Sequence, residues 1–403
     1  MCNLKSQNIS SNNLQKNIWL MCAISFLQNC ASVIVSSLTA LVLLTLLGAN
    51  EVSIGYIRGA SEGLSYIMKM IFGVLSDYTH KRKIFIVTGY ILAVFTKFIF
   101  AMSYSIWVYA AAQFIDRISN GMRDSPRDAM MIESANAKTV CTNLGMRQAM
   151  AYMGSMIGAI GLYFILSDMD HQYIRSIYLY VSIPVLISVI VSFFLVDTGP
   201  TVTAQKHKWS WEIVKEFQKK FWLIILLSSV FFMTKFSESF LTAYAIKLGF
   251  AQKYQPLVFV MLYSFSWPAA KILGKKSDMG DKVLYLLFCI GTLCCSYICF
   301  ANAESSIPLF VIGVLLFAIQ HGASNVIILG MLSDTIPHQD LKGTAVGIFG
   351  FVCAIGITFS SVAFGYCVSI MGYAAGFYIF AIAVAVAFAA ILINKKHITT
   401  YNA

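Results

Sequence analysis

Gly73-Val74-Leu75-Ser76-Asp77, with His80-Lys81-Arg82-Lys83 close behind, ends one long apolar run; Gly274-Lys275-Lys276-Ser277-Asp278, with Gly280-Asp281-Lys282 behind it, ends another. Both read G-x-x-x-D followed by basic residues, at the same place in each half of the chain. A polar phrase repeated between apolar runs marks a duplicated unit whose copies turn back at the same surface.

The runs on either side decide the class. Of 403 residues, 58% are apolar and 12% charged, where a soluble chain carries ~45–50% and ~25%. So much apolar surface cannot be hidden in a water-soluble fold, which excludes a cytosolic enzyme, a nucleic-acid binder and a secreted disulfide scaffold. Eight of the ten cysteines lie inside apolar runs and none forms a ligand set with His or acids. They read as small apolar fillers, with no metal site and no cofactor.

A helix needs ~20 apolar residues to cross ~30 Å of hydrocarbon. Spans are expected at about 18–47, 53–75, 84–104, 106–122, 143–166, 174–196, 221–246, 255–273, 283–301, 307–332, 342–366 and 373–394. These runs are too long for barrel strands, so the fold is an all-α membrane protein with twelve transmembrane helices. The polar start, Met1 to Asn17, precedes a run too long for a signal-peptide core, which reads as a retained first span. The polar stretch 197–220, with Pro200 and a short amphipathic piece from Trp209 to Phe217, divides the chain into six-helix units 1–196 and 221–403. With both termini placed inside, nineteen of the 29 Lys and Arg residues fall in inner segments. Three, Arg175, Lys247 and Lys253, fall outside, and the other seven lie in or at the ends of spans. That bias sets both termini in the cytoplasm. It also accounts for the net charge of +11 without nucleic acid.

The paired G-x-x-x-D loops resemble the loop signature of the major facilitator superfamily, whose two six-helix halves are parallel repeats. Asp116-Arg117-x-x-x-Gly121-x-Arg123-x-x-Pro126-Arg127-Asp128-Ala129 resembles the D-R-x-G-K-G-x-R-x-x-P-R-D-A motif of one bacterial branch, with Ser119 and Asn120 in place of its usual Gly and Lys. Gly145-Met146-Arg147-Gln148-Ala149, with Gly154 and Gly158, resembles that branch's fifth helix, and Lys342-Gly343-Thr344-Ala345 the start of its eleventh. The resemblance spans the chain. It implies two pseudo-symmetric bundles, a monomer in the bacterial inner membrane surrounded by lipid, and alternating access.

The resemblance also implies a gate. Asp77 would face the start of helix eleven, where helix N-termini stabilise a carboxylate by ~0.3–1 kcal/mol. Arg123 or Arg127 would pair with it, while Lys81 and Arg82 would hold the loop at lipid phosphates. Gly73, Asp116, Arg117, Asp128 and Asp278 complete the expected gating set. Gly154 and Gly158 form a small-xxx-small face for close helix packing. Antiporters of the superfamily carry Pro after the second Gly; this chain has Ala159.

Ionisable residues inside spans are costly and face cavities or one another. Arg58 and Glu62 are four apart, and Lys235 and Glu238 three apart, so each pair is expected to share a helical face. Lys69 and Lys97 are expected to snorkel to the surface. The expected substrate-binding set is Arg58, Lys235, Glu238, Gln28, Asn29, Arg147, Gln320 and Asn325. Glu62, Glu238 and His321 are the candidates for proton coupling, the last because imidazole titrates near neutrality.

Bases outnumber acids within the spans, which favours an anionic solute. The reading is a secondary active transporter, a proton-coupled symporter of a small organic anion such as a carboxylate or a carboxylate siderophore. The alternatives are a proton-coupled multidrug exporter, a membrane-embedded transferase and a channel. The scattered loop histidines do not form a transferase site, and the duplicated plan favours alternating access over a channel.

Overall fold

A computed structural model describes residues 11–43, 47–48, 51–79, 81–168, 174–198, 217–250, 254–336 and 341–399. The amphipathic piece expected at Trp209 to Phe217 lies outside this set except for Phe217. Among the described residues there are thirteen α-helices and no strand. They are α1 (Ser11–Leu41), α2 (Glu51–Thr79), α3 (Arg82–Ala101), α4 (Ile106–Ser134), α5 (Val140–Asp168), α6 (Ile174–Phe193), α7 (Lys219–Phe232), α8 (Ser239–Lys247), α9 (Gln255–Met279), α10 (Lys282–Ala301), α11 (Ile307–Ser333), α12 (Lys342–Ile393) and α13 (Lys395–Thr399).

Eight of these are long and apolar enough to cross a membrane: α1, α3, α5, α6, α9, α10, α11 and α12. The twelve-span architecture emerges once three features are read together. First, α2 and α4 are as long as their neighbours but carry charge along one face. Second, α12 is two spans in one continuous run, joined at Gly372, whose φ of 82° and ψ of 172° no β-carbon tolerates well. Third, α7 and α8 are two pieces of one span. The first helix starts at Ser11 rather than 18, and α4 runs on to Ser134, twelve residues past the expected end of its apolar run.

The break between α7 and α8 corrects the expectation of a continuous helix at 221–246. Residues 235–237 are not helical. A broken span leaves backbone groups that lipid cannot satisfy. Here neighbouring helices satisfy them: the Tyr297 hydroxyl donates to the Thr234 carbonyl (2.8 Å), the Ser360 hydroxyl to the Lys235 carbonyl, and the Ser237 N–H to the Ser361 hydroxyl (3.0 Å). Phe236 fills the break and packs on Phe364, Tyr297 and Phe317 at centroid distances of 4.4, 5.1 and 5.7 Å.

Early helices pack on early ones: α1 on α5 and α6, α3 on α4 and α6, α2 on α4. Late helices pack likewise: α9 on α11, α10 on α11 and α12, α7 on α12. The two main crossings that join the sets are α5 with α9 and α2 with α12; α5 also meets α11, and α4 meets α12. The two main crossings run through glycine. A β-carbon at Gly73 would stand 2.4 Å from the Gly343 carbonyl oxygen, and one at Gly145 would stand 2.4 Å from the Ala270 oxygen. Gly154 and Gly158 admit α1 equally closely, against the carbonyls of Phe26 and Cys30.

Candidate functional site: paired clamps and a charged cavity

The two G-x-x-x-D phrases build matching clamps. The N–H groups of Gly343 and Thr344 and the Thr344 hydroxyl donate to the Asp77 carboxylate at 3.0, 2.5 and 2.7 Å. At the other crossing, the N–H groups of Cys141 and Thr142 and the Thr142 hydroxyl donate to Asp278 at 3.0, 2.6 and 2.7 Å. Each acid therefore caps the free N–H groups of the opposite set's long helix, where the helix dipole also favours negative charge.

The cation behind each acid differs from expectation. Arg82, not Arg123 or Arg127, pairs with Asp77 (2.7 Å) and also with Glu133 (2.6 Å). Arg82 is fully buried, so it does not reach lipid phosphates; Lys81 beside it is exposed. A guanidinium offers five donors in a rigid fork, and three polar partners within α2 and α4 use that fork up. In the second clamp, Lys282 bonds Asp334 (2.6 Å) at a more exposed position and leaves Asp278 to the helix alone.

Between the helices, on the side of the clamps away from residues 81–83, lies a cavity of about 410 Å³. Its walls include Gln28, Asn29, Glu62, Lys69, Arg117, Asn120, Arg123, Asp124, Arg127, Asp128, Arg147, Gln148 and Asn325. Along α2, side-chain exposure rises from 6% at Asp77 to 26% at Lys69 and 45% at Glu62. The cavity is thus shut at the clamps and wet farther up the helix.

Its charges interlock. Arg117 pairs with Glu62 at 3.1 Å. Asp124 bridges Lys69 (3.0 Å) and Arg127 (3.2 Å), and Asp128 bridges Arg127 (3.2 Å) and Arg147 (3.5 Å). Arg123 has no carboxylate within ion-pair reach among the described residues. It lies 4.8 Å over the Tyr90 ring and donates to Ser119 (2.9 Å) and Asn120. The inner nitrogens of Arg117, Arg123 and Arg147 are buried without a hydrogen-bond partner.

Several expected site residues sit elsewhere. Glu62 pairs with Arg117; the expected pairing with Arg58 falls on a side chain outside the described residues. Lys235 and Glu238 do not pair, because the broken span turns them apart: Lys235 donates to Ser324 (3.3 Å), while Glu238 accepts from Tyr263 (3.0 Å) and stands 3.6 Å from His321. Neither lines the cavity, nor do Gln320 and His321. Gln320 is fully buried, with both amide atoms unpartnered. Lys97 does not snorkel; it is buried and bonds Asp116 at 2.6 Å, which makes Asp116 a partner inside the bundle rather than a cavity group. Lys69 faces the cavity and not the surface.

Sequence reading missed Asp124, Asn120, Ser65 and Tyr66. The signal was present for the first two. Positions 117, 120, 124, 127 and 128 follow helical spacing and share one face, but the apolar run stops near 122, which hides the continuation of the helix to Ser134.

Long apolar helices in two repeated sets, clamped at one end over a wet charged cavity, are the architecture of a membrane carrier. The chain belongs to the Major Facilitator Superfamily, whose family model matches residues 20–296 and 259–401. This is a family of transporters, not enzymes. The chain is 28% identical over 371 residues to an uncharacterized MFS-type transporter of Methanocaldococcus jannaschii, covering 88% of this chain and 89% of that one. Its fold is similar to that of the human organic anion transporter MFSD10 (TETRAN), with a TM-score of 0.78, 12% identity and coverage of 94% and 99%. It is also similar to the Escherichia coli fucose:proton symporter FucP, with a TM-score of 0.72, 16% identity and the same coverage. At such identities the two structures speak for the fold alone.

Proposed function

We propose that this transporter carries a small organic anion, a carboxylate or a carboxylate siderophore, by proton-coupled alternating access. The carrying observation is the charge balance of the cavity: Lys69, Arg117, Arg123, Arg127 and Arg147 against Glu62, Asp124 and Asp128, with no carboxylate within ion-pair reach of Arg123 among the described residues. In a low-dielectric cavity such a surplus recruits a negative solute. That a similar fold serves a human organic anion transporter is consistent with this reading.

The rest of the proposal follows from the clamps. Units 1–196 and 221–403 rock about the cavity, joined by 197–220. The end bearing residues 81–83 and 280–282 is cytoplasmic, as the distribution of Lys and Arg favours, in a bacterial inner membrane. The structure is then the inward-closed state of a monomer. Glu62, released from Arg117 by an arriving anion, takes up the coupling proton; the Glu238–His321 contact is a second place for it. The similar fold of a fucose:proton symporter is in keeping with such coupling.

Counterflow into proteoliposomes tests the reading. Arg123→Gln and Arg147→Gln each remove a charged donor worth ~1.5–3 kcal/mol, so organic-anion affinity should fall about tenfold to a hundredfold. Anion affinity unchanged in both variants would overturn it.

A further inference from the structure

The charges of the cavity all come from one side. Among the described residues, every charged group that lines it is carried by α2, α4 or α5. The facing wall, from α7, α11 and α12, presents Phe232, Leu329, Val346, Phe349 and Ile357, with Asn325 as its sole polar side chain apart from the weakly polar thiol of Cys353. Phe232 and Phe349 meet edge to face, with centroids 5.9 Å apart and planes at 70°. Lys235, at the end of the α7 piece that supplies Phe232, does not line the cavity; its ammonium stands 4.9 Å from the Phe232 ring.

We infer that the transported anion is an amphiphile, with a single anionic head held by Arg123 and Arg147 and an aliphatic or aromatic body laid on the Phe232–Phe349 wall. This inference rests on the anion reading and narrows it. A hydrophilic dianion would satisfy one wall and leave its second charge against apolar side chains with one amide for a partner, an arrangement that costs the desolvation of that charge. A neutral amphiphile would leave the surplus positive charge of the α2, α4 and α5 wall without a counter-charge in a low-dielectric cavity. The volume of about 410 Å³ falls in the range, ~300–1,000 Å³, of pockets that take organic ligands.

The experiment is titration calorimetry on the full chain in lipid nanodiscs, with empty nanodiscs subtracting partition into lipid. Three ladders of matched chain length serve as probes: butyrate, hexanoate and octanoate; the corresponding alcohols; and the corresponding α,ω-dicarboxylates. Alkanoate affinity should climb about fourfold per methylene, while dicarboxylates stay flat and alcohols bind more weakly at each length. Phe349→Ala should flatten the alkanoate ladder, and Phe349→Leu, which keeps the wall apolar and full, should preserve it. Dicarboxylates that bind as well as alkanoates would overturn the amphiphile and leave the anion reading standing. Alcohols that match alkanoates at every length would sink the anion reading itself. No measurable binding of any alkanoate would overturn the inference.

Discussion

Thr344 gives Asp77 both its backbone N–H and its hydroxyl, at 2.5 and 2.7 Å, across 267 positions of chain. Thr142 does the same for Asp278 at 2.6 and 2.7 Å. Two threonines at the starts of two long helices thus hold the closed end of the cavity through two acids from the opposite set. In the rocking cycle proposed above, such contacts form in one arrangement of the halves and break in the other, as a two-state element does.

Asp77→Asn should favour opening at this end. An amide cannot accept three donors as a carboxylate does, and hydrogen bonds to a charged group are worth ~1.5–3 kcal/mol. A cysteine placed at Ser125, which bonds the Gly343 carbonyl behind the clamp, should react at least about tenfold faster with an impermeant maleimide applied from that side. An unchanged rate would show that the clamp does not hold the closure.

Gly73→Ala should act in the same direction by a different cause. Its added methyl meets the backbone oxygen of Gly343, which cannot swing aside, so the crossing must spread at a cost of ~1–3 kcal/mol. Gly161→Ala, whose methyl meets nothing within 4 Å, should leave labelling at position 125 as it is. Equal behaviour of the two variants would refute the close-packing argument.

Lys97 and Asp116 form a buried pair whose loss is a matter of stability. Lys97→Met alone strands the carboxylate and should lower stability by ~3–5 kcal/mol. Lys97→Met combined with Asp116→Leu should recover most of that loss, with binding retained, because neither residue lines the cavity. Thermal unfolding in detergent reads the difference; a double variant no better than the single would argue that the pair does more than pack.

Lys235 is buried, with Ser324 as its one close hydrogen-bond partner and no carboxylate within ion-pair reach among the described residues. A lone buried ammonium is costly. Lys235→Met should therefore raise the melting temperature, and loss of uptake alongside would be the pattern of a charge kept for transport. Full uptake in that variant would remove Lys235 from the cycle.

The two G-x-x-x-D phrases made the duplication and the acids of the clamped end visible, because a charged residue beside a lipid-spanning run has few places to go. The cavity face of α4 was half visible: Arg117, Arg123, Arg127 and Asp128 stood out as a motif, while Asp124 hid beyond the apparent end of an apolar run. Pairing was less legible. Lys235 and Glu238 looked like neighbours by spacing along one helix, yet the break at residues 235–237 sent them to different partners, and the pairing of Glu62 with Arg117 on α4 joins helices that no spacing along one of them could relate.

What the chain by itself determined is how many times it crosses the membrane, which end is basic and where the unit repeats. Those follow from hydrophobic length and local charge, quantities that each segment carries alone. Which cation meets which acid, which wall of the cavity is charged and which apolar, and that a single residue stretch interrupts the seventh span were decided only when helices distant in sequence came together. Long side chains choose among partners within a few ångströms, and helix packing alone decides who those partners are.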